Sequence, residues 1–236
     1  MHDPVDLVVP VKELRRAKSR LAPAVADLPG GDAERARAAW ALPLALALDT
    51  LRAARAATRT GRLVVVTGEP AISLGGAGEP REDVPDTGGG LNAALRRGAE
   101  HLCRTGARPG APRAVAALQA DLPALRPDEL DEALEQAAAV FAAGATRAFV
   151  ADHAGTGTTL LVAAAGRALR PRFGPGSASA HAASGAVALD GAWPGLRGDV
   201  DTTADLARAR DLGAGPETRA WPHPLPSAVV GAAERH

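Results

Sequence analysis

The chain has 236 residues, enough for one large domain or two small ones with a substantial hydrophobic core. Hydrophobic residues make up 46% and charged residues 23% of it, which excludes collagen-like, coiled-coil and wholly disordered proteins. The 27 basic side chains equal the 27 acidic ones and only 3% of residues are aromatic, so the composition argues against nucleic-acid and anionic-membrane binding and predicts that any phosphate site is local.

The cysteine content and the apolar runs indicate the compartment. A single cysteine, Cys103, cannot form an intramolecular disulfide, and no Cys/His group has the spacing of a zinc site. The acidic N-terminal sequence is unlike a signal peptide, and the longest apolar stretch, 38–48, is shorter than the about 20 residues of a membrane span. We therefore expect a cytoplasmic protein that does not enter membranes and holds no structural zinc.

Short runs rich in Val and Leu alternate with segments of helical periodicity along the chain. Continuous rather than alternating apolarity is typical of strands that are covered on both faces. Strands are predicted at 7–11, 63–67, 114–119, 147–151, 159–163 and 186–189. Helices are predicted at 43–57, 91–103, 127–143 and 202–212. This alternation predicts a single α/β domain with a mostly parallel central sheet.

Helix boundaries and the C-terminal region carry their own signals. Pro43 is suited to the first turn of its helix, and Thr202 stands at the start of a capping box. We place the domain at residues 1–213. The proline-rich residues 214–236 are predicted to form an extended or mobile tail, part of which Trp221 could hold against the domain.

Five basic side chains follow the first predicted strand directly, namely Lys12, Arg15, Arg16, Lys18 and Arg20. Ligands of open α/β sheets bind at the carboxyl ends of the strands, so this segment places cations at the expected mouth of a site. A polyphosphate is the natural partner, although the absence of a glycine-rich Walker A loop argues against a P-loop ATPase or GTPase. A solvated basic loop without a ligand is the alternative.

A glycine-rich turn, with Gly88, Gly89, Gly90 and Asn92, opens the helix predicted at 91–103. It matches the pattern G-x-G-x-x-A, but the preceding residues are polar and proline-bearing, so we predict that no strand precedes it. A dinucleotide fingerprint needs that strand, which argues against a nicotinamide cofactor. Glycines at a helix start leave backbone N–H groups for an anion or a nucleoside, and a plain flexible loop is the alternative.

Three carboxylates stand at strand ends or in extended sequence. Asp121 follows the strand predicted at 114–119, and extended backbone would direct Asp199 and Asp201 to one side while Val200 faces the other. Converging carboxylates repel one another, and a divalent cation such as Mg²⁺ relieves that cost when phosphate oxygens complete its shell. The competing interpretation is that Asp201 only caps or precedes the last helix and that Asp121 is a turn residue.

Two further glycine-rich segments, 152–159 and 173–177, combine glycine with small hydroxyl residues. Their amides could converge into an anion-holding concavity for a small carboxylate or phosphate, although two tight turns would also explain them. His153 and His181 lie near these turns without an acid or nucleophile partner by spacing, and we take both as surface or structural residues. Cys103 lies inside a predicted helix and no G-x-S-x-G elbow is present, so nucleophilic acyl chemistry lacks its groups.

The ordered motifs resemble a known family. They are Val-Pro-Val-Lys with Ala-Lys-Ser-Arg-Leu near the N-terminus, Gly-Gly-Leu-Asn-Ala-Ala-Leu, Ala-Asp-Leu-Pro, Gly-Thr-Gly-Thr-Thr, Phe-Gly-Pro-Gly-Ser and Asp-Val-Asp-Thr. Over residues 5–213 the chain resembles the phosphoenolpyruvate or 2-phospho-L-lactate guanylyltransferases, which make an activated phospho-acid for the deazaflavin coenzyme F(420). It departs from the family pattern at Thr159, where Asn is usual, and at Ala151, where Pro is usual.

The resemblance implies a fold and a set of site residues. The implied fold is a single three-layer nucleotidyltransferase domain, similar to nucleotide-diphospho-sugar transferases and molybdopterin guanylyltransferase. The implied nucleotide-binding residues are Lys12, Lys18, Arg20, Gly88, Gly89, Gly90 and Asn92. Lys18 and the three aspartates are the implied catalytic residues, and Asp121, Asp199 and Asp201 would hold Mg²⁺. The amides of Thr159, Gly174 and Ser177 would bind the small acid.

The resemblance therefore implies a guanylyltransferase whose partners are GTP and a small phospho-acid, either phosphoenolpyruvate or 2-phospho-L-lactate. One alternative is a related nucleotidyltransferase with another acceptor, such as a sugar phosphate or molybdopterin. Another is a nucleotide-binding module without turnover. Alanine-rich helix faces could pair two copies into a homodimer.

Overall fold

A seven-stranded sheet forms the centre of the fold in the computed structural model, which describes residues 3–11, 21–26, 28–69, 72, 81–106 and 112–222. The strands are β1 Val5–Val11, β2 Thr60–Thr67, β3 Glu82–Pro85, β4 Val115–Leu118, β5 Arg147–Ala151, β6 Thr158–Ala163 and β7 Val187–Ala188. Their order is β3-β2-β1-β4-β6-β5-β7. Only β6 runs antiparallel to its neighbours among these strands, so the prediction of a mostly parallel sheet is confirmed.

Helices cover both faces of this sheet. They are α1 Ala22–Ala26, α2 Asp32–Ala56, α3 Leu91–Thr105, α4 Pro127–Ala142, α5 Ser177–Ala183, α6 Thr203–Asp211 and α7 Pro216–Ala220. All seven residues of β1 are buried because the strand has neighbours on both sides. Leu7 and Val9 pack in the core cluster that includes residues of α2 and α4, and Val8 packs on the opposite face with residues of α3. This arrangement is the predicted three-layer α/β domain.

The glycine-rich turn does have a strand before it, contrary to the prediction. β3 lies at the edge of the sheet and pairs in parallel with β2 alone. An edge strand needs little apolar sequence: Val84 is its one buried residue, while Glu82 pairs with Arg62 of β2 through two N–O contacts of 2.7 Å. The polar, proline-bearing sequence therefore forms a strand, contrary to the prediction. The expected absence of a strand before the glycine-rich turn can no longer count against a dinucleotide fingerprint.

Helix α2 begins eleven residues earlier than predicted, so Pro43 lies inside it rather than in its first turn. A proline in a helix interior costs about 3 kcal/mol. Leu42 and Leu46 beside Pro43 are almost completely buried, and burial of this kind offsets the cost. Although α2 has 25 residues, neither it nor any other helix in the described ranges is long and apolar enough to cross a membrane.

The start of the predicted tail is folded against the domain. Asp49 of α2 accepts hydrogen bonds from the backbone N–H groups of Glu217 (3.2 Å) and Thr218 (2.8 Å), which begin α7. The indole Nε1 of Trp221 donates to the carbonyl of Ala38 at 2.9 Å, as the prediction of an anchoring Trp221 allowed. Residues 214–222 thus pack on α2 instead of forming an extended tail, and residues 223–236 lie outside the described residues.

Candidate functional site

Several predicted motifs meet at one edge of the sheet. The parallel strands β1, β4 and β5 end there, and the antiparallel strand β6 begins there. Asp121 and Asp152 follow β4 and β5, and Thr159 is the second residue of β6. The basic segment follows β1 directly, but Lys12, Lys18 and Arg20 lie outside the described residues, so their triphosphate contacts stay predictions.

The structure brings Asp121 next to the segment that carries the other two aspartates. The backbone N–H of Val200 donates to the carbonyl of Asp121 at 3.0 Å, and the Val200 side chain is fully buried. Asp199 is partly buried and Asp201 is exposed. Burial, together with the neighbouring carboxylates of Asp121, Asp201 and Asp152, raises the pKa of Asp199 to about 7. This edge of the sheet therefore concentrates negative charge.

The three predicted metal ligands do not form one compact cluster. Within the described ranges, no group of three His, Cys, Asp or Glu side chains is placed to hold a metal ion. Asp201 does not cap α6, because the hydroxyl of Thr202 accepts from the N–H of Asp205 at 3.2 Å and forms that cap; Asp201 precedes the helix, as the competing interpretation also allowed. The joint metal role of Asp121, Asp199 and Asp201 stays a prediction.

Thr50 of α2 positions the turn that carries Asp121. Its hydroxyl accepts from the N–H of Leu122 at 2.9 Å and donates to the carbonyl of Leu46 at 2.8 Å, while the carbonyl of Ala120 lies 3.2 Å away. Thr50 is fully buried. A threonine in the middle of an apolar helix gave no functional signal in the sequence, because the turn it binds lies 70 residues further along the chain.

Glu129 positions the loop that leads to Asp199. Its carboxylate accepts hydrogen bonds from the N–H groups of Gly195 (3.1 Å) and Leu196 (2.8 Å) inside the protein. Burial raises the pKa of Glu129, and these backbone donors oppose the rise. A Cβ at Gly195 would collide with the carbonyl oxygen of Ala124, so the close approach requires glycine. Nothing in the local sequence indicates that Glu129 binds this loop.

The segment 152–159 forms a tight turn around one carboxylate. Asp152 accepts from the N–H groups of Thr156 (2.9 Å) and Gly157 (2.8 Å). The pairing of β5 with β6 shifts so that Thr159 is the extra residue of a β-bulge. Its hydroxyl oxygen is buried and has no hydrogen-bond partner within the described residues. A bulge next to a turn of this kind re-aims the local backbone groups toward the edge of the sheet.

The second small-residue segment lies against this turn. The N–H of Ala178 donates to the carbonyl of Thr156 at 3.1 Å, so residues 173–177 and 152–159 are neighbours. Gly174 and Gly176 have φ angles of 140° and 71°, which favour glycine. The amide of Ser177 donates to the carbonyl of Gly174 at 3.1 Å, so this predicted acid-binding amide is already engaged within the loop.

Asn92 connects the glycine-rich turn to the same loop. Its side-chain Nδ2 donates to the carbonyl of Phe173 at 2.9 Å, and its Oδ1 accepts from the N–H of Phe173 at 2.8 Å. The turn itself holds three consecutive positive φ angles, 89°, 86° and 82°, at Gly88, Gly89 and Gly90. The amide of Asn92 thus joins two loops, and its predicted contact with the nucleoside stays a prediction.

The two histidines differ in their surroundings. His181 is fully buried, and its Nε2 accepts from the N–H of Arg172 at 3.0 Å, so its Nδ1 carries the proton toward Thr158 Oγ1, 2.9 Å away. Burial and then the charges of Arg172 and Arg147 lower the pKa of His181 to about 4. His153 is exposed; its Nδ1 lies 3.9 Å from Asp199 Oδ1, and Arg208 contacts its ring.

Curated relatives share most of the chain's length. A phosphoenolpyruvate guanylyltransferase of Streptomyces scabiei is 51% identical over 222 residues, which cover 91% of this chain and 94% of that one. The enzymes of the same name from Geodermatophilus obscurus and Salinispora arenicola are 50% and 47% identical, with coverage of this chain of 91% and 90%. No family model matches the chain. The relatives confirm the resemblance predicted from the ordered motifs.

Solved structures support the fold. A nucleotidyl transferase from Methanothermobacter superposes with a TM-score of 0.59 at 21% identity over 89% of this chain and 97% of that one. A 4-diphosphocytidyl-2C-methyl-D-erythritol synthase superposes with a TM-score of 0.56 at 14% identity over 90% and 99%. At these identities the likeness concerns the fold alone, and it confirms the predicted nucleotidyltransferase-like architecture.

The buried His181 predicts a specific acid sensitivity. Because its pKa is about 4 in the folded protein against 6.5 for the free side chain, the unfolded state takes up the proton first as pH falls. The free energy of unfolding should therefore fall between pH 6.5 and pH 4 by up to about 3 kcal/mol from this group. Urea titrations across this range would measure the slope. His181→Gln should flatten it and the exposed control His153→Gln should not; equal slopes in all three proteins would contradict the prediction.

Proposed function

Since the chain belongs to the phosphoenolpyruvate guanylyltransferase family and is a transferase, we propose that it joins GMP from GTP to phosphoenolpyruvate and releases pyrophosphate. The observation that carries this proposal is the hydrogen bond from Val200 to the carbonyl of Asp121, which gathers carboxylates from two distant segments beside the glycine-rich loops. An acidic edge next to glycine-rich loops suits two phosphorylated reactants and a cation.

The reaction needs no strong general base. A phosphate oxygen of phosphoenolpyruvate, already anionic at neutral pH, attacks the α-phosphorus of GTP and forms a new P–O bond. The bond from the α-phosphorus to the oxygen that bridges to the β-phosphorus breaks, and pyrophosphate leaves. The chain's task is then to hold both reactants in line and to compensate charge. Neither His153 nor His181 is required as a base.

Asp121, Asp199 and Asp201 are the residues that would hold a divalent metal, which we propose to be Mg²⁺. The fit rests on the burial of Asp199 and on its carboxylate neighbours Asp121 and Asp201, which together raise the pKa of Asp199 to about 7, because a nearby cation would stabilise the charged form. A compact protein cage is not needed, since Mg²⁺ usually binds through one or two carboxylates together with substrate phosphates. When bound, the metal supplies neutralisation of phosphate charge during the transfer.

The nucleotide and the acid would occupy the two sides of this carboxylate edge. We propose that Lys12, Lys18 and Arg20 neutralise the triphosphate and stabilise the leaving pyrophosphate, with Lys18 catalytic. The turn Gly88–Gly90, at the N-terminus of the 15-residue helix α3, would seat the nucleoside through backbone groups.

The acid would lie against the loops of Thr159, Gly174 and Ser177. In this role the Ser177 hydroxyl would replace its amide, which is engaged with Gly174.

We propose that the product serves the cytoplasmic biosynthesis of coenzyme F(420). The acceptor is phosphoenolpyruvate in preference to 2-phospho-L-lactate because the relatives that share about half of the sequence carry that substrate in their names. A transferase with a sugar phosphate or molybdopterin as acceptor is the competing activity within this fold.

The activity is tested with the purified chain, GTP and Mg²⁺, by following pyrophosphate release. Phosphoenolpyruvate should support turnover, whereas 2-phospho-L-lactate and sugar phosphates should give less turnover.

Asp199→Asn and Asp201→Asn should each lower turnover by about 100-fold or more, since each removes charge from the proposed metal site. The control Asp211→Asn changes an exposed aspartate in the last turn of α6 and should retain activity. Pyrophosphate release with another acceptor but not with phosphoenolpyruvate would overturn the proposed substrate.

The metal role predicts opposite effects of Asp199→Asn with and without Mg²⁺. In EDTA at pH 8 the variant should unfold at the same or a higher temperature than the parent, because it removes a crowded buried charge worth about 1–2 kcal/mol. Mg²⁺ should raise the Tm of the parent by mass action and leave the variant unchanged. An equal rise in both proteins, measured by calorimetry, would place the ion elsewhere.

The Asn92 link predicts which substrate a variant would lose. Asn92→Ala removes both hydrogen bonds to Phe173, so the KM for phosphoenolpyruvate should rise by about tenfold while the KM for GTP changes little. Asn92→Asp keeps the acceptor for the Phe173 N–H and should recover part of the loss. A rise confined to the KM for GTP would instead support the direct nucleoside contact predicted from the sequence.

A further inference from the structure

A long stretch of the chain lacks acidic side chains. Between Asp152 and Asp190 there is no Asp or Glu, while the same stretch holds Arg167, Arg170 and Arg172. It forms β6, the connection to α5, α5 itself and β7. Because the chain as a whole has equal numbers of acidic and basic residues, this stretch is a local excess of positive charge.

Arg147 adds a buried cation to this excess. It opens β5, is only 7% exposed, and donates from Nη2 to the carbonyl of Ser184 at 2.6 Å. Its Nε has no hydrogen-bond partner within the described residues. Burial lowers the pKa of Arg147, and the charges of Arg170 and Arg172 lower it further. The guanidinium is thus held in a place that disfavours its charge.

Hydrogen bonds attach Arg172 and Arg147 to the same end of α5. The N–H of Arg172 donates to Nε2 of His181 at 3.0 Å. The N–H and hydroxyl of Ser184 donate to the carbonyl of His181 at 3.0 and 2.8 Å, and Ser184 in turn accepts from Arg147. Arg170, two residues before Arg172, is exposed and has a φ of 49°, an uncommon conformation for a side chain of its size.

Carboxylates of the described residues do not compensate these charges. In the part of the chain that the structure describes, no Asp or Glu forms an ion pair with Arg147, Arg170 or Arg172. The contrast with Arg62 is direct, because that guanidinium, also largely buried, pairs with both carboxylate oxygens of Glu82. Guanidinium groups without a partner favour a bidentate oxyanion, and three of them together favour one with two negative charges.

We propose that Arg147, Arg170 and Arg172 form a second anion site, which binds the dianionic phosphoryl group of a small molecule. The two exposed arginines would contact the anion, and Arg147 would provide positive potential from beneath them. The ligand is either free inorganic phosphate or the phosphoryl group of a phosphorylated metabolite, since both present the same oxygens.

This site is separate from the carboxylate edge. Arg147 begins β5 and Asp152 follows its end, five residue steps of about 3.3 Å each, so the two residues lie roughly 17 Å apart. The two sites have opposite charge, and the buried cation of Arg147 lies at the end of β5 that is remote from Asp152. They are connected through the backbone, because Arg172 directly precedes Phe173, the residue that Asn92 holds. An anion on Arg172 would therefore also steady the loop that leads to Gly174.

The test is a calorimetric titration of the full chain with sodium phosphate in EDTA, without nucleotide, at ionic strength matched by chloride. We expect one saturable site. The double variant Arg170→Ala/Arg172→Ala should weaken binding and raise the Kd by about tenfold or more. The matched control Arg104→Ala/Arg219→Ala removes two exposed arginines from other helices, and with them the same net charge, and should change the Kd by less than about twofold. Unfolding temperatures of both variants would verify that they fold.

Three outcomes would overturn the proposal. They are the absence of saturable binding, equal weakening in the two double variants, and loss of binding in Lys18→Ala but not in Arg170→Ala/Arg172→Ala. The last would place the phosphate beside the basic N-terminal segment.

Titration with phosphoenolpyruvate in EDTA separates the two ligand sources. A Kd equal to that of phosphate supports a site for phosphoryl groups in general, and a higher Kd supports a site for free phosphate. Because no turnover is measured, these results do not depend on the proposed transferase activity.

Discussion

One backbone hydrogen bond, from the N–H of Val200 to the carbonyl of Asp121, joins two parts of the chain that are almost 80 residues apart in sequence and fixes the acidic edge. The Val200 side chain is buried, while Asp199 beside it is partly buried and Asp201 is exposed. Burial, and then the carboxylates gathered here, raise the pKa of Asp199. The rest of the site is arranged around a concentration of charge that the fold alone disfavours, as is common where function requires it.

Buried polar groups keep the charged segments in place. Thr50 holds the turn of Asp121, Glu129 holds the loop before Asp199, and Asp49 holds the start of α7. Each of these side chains binds backbone N–H groups that would otherwise be unsatisfied inside the protein. The helices α2 and α4 therefore act as more than apolar cover, because their polar residues carry the positions of distant loops.

The sequence was sufficient for the fold class, for most strands and for the family, and less so for contacts. β5 has the predicted bounds because its residues are buried on both faces, whereas β3 was missed because an edge strand needs little apolar sequence. The joint role of Asp121, Asp199 and Asp201 was implied by the family resemblance, and the structure places Asp121 beside the segment that carries the other two. The roles of Thr50 and Asn92 could not be predicted, since each depends on a partner more than 70 residues away that no local pattern specifies.

The reversal of β6 has a consequence for how acceptor preference can change. Because β6 runs against its neighbours, β5 and β6 are joined by a short hairpin, whose residues around Asp152 lie at the carboxylate edge. Lengthening or shortening this hairpin would alter the space for the acceptor without moving any strand. The connection from the end of β6 to the start of α5 must instead run back along the full length of the strands, so its length is constrained. Divergence toward new phospho-acids is therefore expected to concentrate in the hairpin.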